Sequence, residues 1–129
     1  MTRNYQPAGY TPEGTFTPDN LIAGDNIRPI TRSVTLVSGQ NVVRGTVLGI
    51  ITASGKYTTS LAAASDGSQT PKAIAAEDCD ASGGDKVTLV YIAGEFNENE
   101  LTLGTGHTLA SIREDLRDIG IFLKSSETV

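Results

Sequence analysis

Four of the chain's five prolines, Pro7, Pro12, Pro18 and Pro29, fall within its first 32 residues. Proline lacks a backbone N–H, fixes φ and pushes the preceding residue out of the helical region. At this spacing no helix longer than a turn or two survives there. The segment also never alternates apolar and polar residues for long enough to make a strand by itself. Tyr5, Tyr10, Phe16, Leu21, Ile22 and Ile27 nevertheless punctuate it, and a solvated linker has no use for such residues. Spaced aromatic and aliphatic side chains on an extended backbone suit an arm laid on a partner. The competing expectation is a frayed terminus whose aromatics fold back on the chain's own core. The sequence thus divides into an extended N-terminal arm, residues 1–32, and a β-rich domain, residues 33–129.

From Ser33 onward the pattern is that of short strands between turn signals. Val34 to Val37 read as a strand ended by Ser38-Gly39-Gln40-Asn41, and Thr46 to Thr52 as a second. Ser54-Gly55 turns that strand back into Lys56-Tyr57-Thr58 as a hairpin. Residues 59–70 read as a loop, Pro71 opens a strand over Lys72 to Ala76, and acidic Glu77 to Asp85 reads as a loop. Lys86 to Ala93 is the strongest strand, and its nearly continuous apolar run predicts burial on both faces. Gly94 interrupts it before Glu95-Phe96-Asn97, as a bulge would. Leu109, Ile112, Leu116 and Ile119 share one helical face, with Thr108 as N-cap and Gly120 just past the C-terminus. Ile121-Phe122-Leu123 returns as a last strand. The expected fold is mainly β with one C-terminal helix, an α+β body behind an extended arm.

Charge and composition narrow the function. The formal net charge is −5, and the basic residues are scattered, whereas nucleic-acid binding needs them clustered. No apolar run approaches the roughly 20 residues that span a bilayer, and the first 30 residues show no secretory h-region. Neither a nucleic-acid nor a membrane partner is expected. Cys79 is the single cysteine, which excludes an internal disulfide and suits a reducing compartment. Hydrophobic residues make up 38% of the chain, with 14 glycines and no tryptophan, so the core is thin and association between subunits would help it.

Catalytic and metal motifs are missing from the sequence. His107, the one histidine, sits in Gly104-Thr105-Gly106-His107-Thr108 without a nucleophile elbow, and reads as a loop residue before the helix. Carboxylates flank Cys79 in Glu77-Asp78-Cys79-Asp80, which disfavours a reactive thiolate. Zinc needs several Cys and His, and Glu77, Asp78, Asp80 and Asp85 lack the order of a calcium loop. Gly83-Gly84 continues into no phosphate-binding motif. Glu95, Glu98 and Glu100 have no sugar-stacking aromatic surface to serve as a glycosidase pair. No cofactor, no metal and no enzymatic activity are expected.

Several segments together carry a resemblance. They are Val43 to Tyr57, then Asp66-Gly67-Ser68-Gln69-Thr70-Pro71-Lys72-Ala73-Ile74, then Asp85 to Asn97, and the closing Arg113-Glu114-Asp115-Leu116-Arg117-Asp118-Ile119-Gly120-Ile121. In this order, over residues 33–123, the chain resembles the head decoration protein family of tailed bacteriophages, the lambda-like capsid-stabilising proteins. The resemblance implies a β-clip-like body and a homotrimer on the exterior of the expanded capsid in the virion, after synthesis in the host cytoplasm. It also implies an arm that contacts the major capsid protein, and the arm's candidate contact residues are Tyr5, Pro7, Tyr10, Phe16, Leu21 and Ile22. Two alternatives stand beside it: a small β-clip enzyme or enzyme subunit such as a nucleotide hydrolase, and a tail or baseplate adaptor.

Overall fold

The computed structural model describes residues 21–24 and 28–124. They form nine strands and one α-helix: β1 (Ile22–Gly24), β2 (Ile30–Leu36), β3 (Asn41–Val42), β4 (Val47–Ile50), β5 (Tyr57–Thr59), β6 (Pro71–Ala75), β7 (Cys79–Asp80), β8 (Lys86–Asn97), α1 (Leu109–Asp118) and β9 (Ile121–Lys124). The body is mostly β with a single α-helix near the C-terminus among the described residues, as the sequence predicts.

The twelve-residue β8 organises the molecule. Its first half pairs antiparallel with β2 along one side and with β6 on the other. Its second half pairs antiparallel with β1 and parallel with β9. β4 joins β5 and β6, and β5 meets β2. The path β8–β2–β5–β4–β6 therefore returns to β8 and closes a small barrel, which leaves fewer edges open than a flat sheet would.

Alternation along the strands sorts the apolar residues into two cores. Leu36, Leu48, Tyr57, Ala73, Ala75 and Val90 point into the barrel, with Val42, Cys79 and Ala81 closing it. Their immediate neighbours Val47, Ile74 and Tyr91 point outward and meet Leu21, Phe96, Ile112, Leu116 and Ile121. The helix covers this second core. Its predicted stripe is correct, since Ile112 and Leu116 are fully buried and Leu109 and Ile119 pack beside them. Both predicted caps form: the Thr108 side chain accepts from the Ser111 N–H at 3.2 Å, and Gly120 adopts φ +98°.

Two expectations need correction. Burial on both faces holds only for the second half of β8. In the first half Val87 and Leu89 are 69% and 39% exposed, because no described residue covers the outside of the barrel wall there. The Glu77 to Asp85 segment is not all loop, because Cys79–Asp80 pairs with Asn41–Val42. Described residues before Ser33 also enter the sheets: Ile22 and Gly24 face Phe96 and Glu95, and β2 starts at Ile30.

Candidate functional site

Of the residues singled out for the arm, Tyr5, Pro7, Tyr10 and Phe16 lie outside the described residues. Leu21 and Ile22 mark where the N-terminal segment meets the body. Leu21 is only 2% exposed and its side chain belongs to the core beneath the helix. Its carbonyl accepts from the Asn97 N–H at 2.6 Å. So enclosed a side chain packs within the body. Ile22 is 39% exposed and keeps a free apolar surface while its backbone faces Phe96.

Around this junction the carboxylates are matched. Glu95 is almost wholly enclosed, and Lys124 Nζ lies 3.1 Å from its Oε1. Glu98, on the 3-10 turn Glu98–Glu100, takes Arg113 Nη1 at 2.6 Å. A carboxylate held by a cation in this way makes a charge-assisted hydrogen bond. Nearby, Arg44 Nη1 donates to Tyr91 Oη at 3.0 Å and to the Ala76 carbonyl at 2.8 Å, and its guanidinium stands 5.5 Å from the Tyr91 ring centre.

The residues that could bear chemistry are likewise committed to local structure. His107 Nε2 lies 3.0 Å from the Gln69 carbonyl and 3.1 Å from Ser60 Oγ. A carbonyl only accepts, so Nε2 carries the proton. Nδ1 sits 3.0 Å from Ser111 Oγ in the first turn of α1. The imidazole thus ties the 60–69 loop to the start of the helix, and Ser60 itself is fully buried. Cys79 is buried in β7.

The acidic loop spends its oxygens one at a time. Glu77 accepts from Thr88 Oγ1, Asp78 from the Arg44 N–H at 2.8 Å, and Asp80 from Ser82 N–H and Oγ at 3.0 and 2.6 Å. Asp85 takes Lys56 Nζ and the Ser38 N–H. Among the described residues no three His, Cys, Asp or Glu converge as metal ligands. Three carboxyls titrate below their ordinary range because hydrogen bonds favour the charged form. They are Asp66 through the Ser68 hydroxyl, Asp80 through the Ser82 hydroxyl, and Asp85 through Lys56.

What the body presents is surface. Val87 and Leu89 lie opposite Thr35 and Ser33 on the outer wall, and Ile30, Val43 and Leu61 are 50%, 50% and 41% exposed. No helix among the described residues is long and apolar enough to cross a membrane. The family model described as bacteriophage lambda head decoration protein D matches residues 10–121 of the chain. A search of curated proteins returned no match.

Proposed function

Because the chain belongs to the bacteriophage lambda head decoration protein D family, and so is a structural protein of the phage head, we propose that it clamps the exterior of an expanded capsid as a homotrimer. The observation that carries this reading is the anchor at Leu21. A segment whose last residue is locked into the core transmits tension directly to the barrel.

Residues 1–20 are the arm in this reading, with Tyr5, Pro7, Tyr10 and Phe16 as its contacts to the major capsid protein. Leu21 is its root. An extended arm adds a strand to a partner's sheet edge, where backbone hydrogen bonds supply affinity and aromatic side chains supply specificity. Ordering each residue costs about 1–2 kcal/mol, so a single arm binds weakly. Three arms on one trimer make the second and third contacts intramolecular and raise avidity by about 10²–10⁴. A clamp across several capsid subunits opposes their separation under internal pressure, and it needs no catalytic group.

The test is co-sedimentation of purified protein with expanded and unexpanded empty shells. Binding to the expanded form is expected, and failure to bind either form overturns the proposal. Deletion of residues 1–20, which spares Leu21, is expected to leave a folded body that no longer sediments with shells. Full retained affinity removes the arm from the mechanism.

A further inference from the structure

The ring of strands has one weak join. β2 and β5 meet only where Leu36 faces Tyr57, with the Val37 N–H donating to the Tyr57 carbonyl at 2.9 Å. Before that pair the two walls part. Ile30–Thr35 pair with β8 along one side, and among the described residues no strand pairs with their other side. The gap is a groove of about 470 Å³, with Arg32, Val34 and Thr35 on one wall and Ile50, Lys56 and Tyr57 on the other.

The groove's charge is opposite to that of the chain. The protein carries −5 overall, yet the lining holds two cations and no carboxylate. Lys56 is matched by Asp85 beside the groove. Arg32 has no ion-pair partner among the described residues. An open β edge presents N–H and C=O groups that accept another strand, and half-apolar walls beside it select the side chains of that strand.

We infer that this groove takes an extended, carboxylate-bearing segment of a shell subunit, added as a strand along Thr31–Thr35 with its acidic side chain on Arg32. The inference rests on the capsid-binding reading and names a second contact, made by the body and not by the arm. The groove lies away from the N-terminal junction: Ile22 faces Phe96 and Ser33 faces Leu89, seven residues back along β8, which is roughly 23 Å at about 3.3 Å per residue.

Backbone hydrogen exchange of the full-length protein, free and bound to expanded empty shells, tests this. The expected result is at least about tenfold slower exchange at the groove-facing amides of Thr31–Thr35 on shells. Arg32→Glu should weaken shell binding about tenfold with an unchanged melting temperature, and Arg32→Lys should retain most of it. Binding with unchanged exchange at Thr31–Thr35 overturns the inference and leaves the clamp standing. Protection already complete in the free protein also overturns it, in favour of a second copy or the chain's own N-terminal residues. No binding at all overturns the clamp and the inference together.

Discussion

The Asn97 N–H donates to the Leu21 carbonyl at 2.6 Å, so the end of β8 holds the root of the N-terminal segment by its backbone while the core holds it by its side chain. Leu21 therefore behaves as a core residue. Leu21→Ala is expected to cost about 2–4 kcal/mol, the range for truncating an enclosed leucine. Ile22→Ala, at a half-open position, should cost less than about 1 kcal/mol. Thermal melts of the two variants check the difference, and equal losses would mean that Leu21 is not anchored in this way.

The single join between β2 and β5 makes Tyr57 more important than its short strand suggests. It is 6% exposed and lies in the barrel core opposite Leu36. Tyr57→Ala should cost about 3–5 kcal/mol through the cavity it leaves, and should speed exchange of the Val37 amide beyond the global loss of stability. Tyr57→Phe keeps the packing and should shift stability by under about 1 kcal/mol.

Gly83 and Gly104 are predicted to respond oppositely to alanine. A Cβ at Gly104 would run into the Ser60 carbonyl and the Leu61 side chain, whereas one at Gly83 meets open space. Gly104→Ala should cost about 1–3 kcal/mol by overpacking. Gly83→Ala should be neutral or stabilise by about 0.4–1 kcal/mol, since it restricts the unfolded chain. Chemical denaturation of both proteins decides it.

Stability should fall in acid. The Asp66, Asp80 and Asp85 carboxyls are depressed below the ordinary value of 3.8 by Ser68, Ser82 and Lys56 respectively. A depressed carboxyl favours the folded state fully above its unfolded pKa, and that contribution is lost as pH drops through the folded value. The melting temperature is therefore expected to be flat above about pH 5 and to decline below pH 4. Asp66→Asn and Asp80→Asn should each reduce the steepness of that decline in melts taken from pH 2 to 6.

Local signals were readable from the residues. The stripe of α1 and its caps at Thr108 and Gly120, the hairpin turn at Ser54-Gly55, and the strands opened by Pro71 and Lys86 all follow from neighbours in sequence. What could not be read depends on partners far along the chain. β1, β3 and β7 are two or three residues long, too short for a period, and form only because β8 or each other lies alongside. The exposure of Val87 and Leu89 follows from where the helix stops covering the barrel, and no alternation within β8 encodes that. The same holds for Leu21, whose burial is decided by Phe96 and Leu116. For the candidate site, an unpaired strand edge leaves no mark in its own residues.

The dependence on β8 also orders events in time. β2 must wait for Lys86–Ala93 to exist, and barrel closure joins residues some sixty positions apart, which places folding among slow, non-local topologies. On a ribosome adding about 5–20 residues per second, the 67 residues that follow Ile30 up to Asn97 take roughly 3–13 s, and β2 spends that interval without its long partner β8. Its sequence, Ile30-Thr31-Arg32-Ser33-Val34-Thr35-Leu36, suits the wait. Polar and charged residues break the apolar run, so a nascent chain can hold this strand ready without aggregating with others.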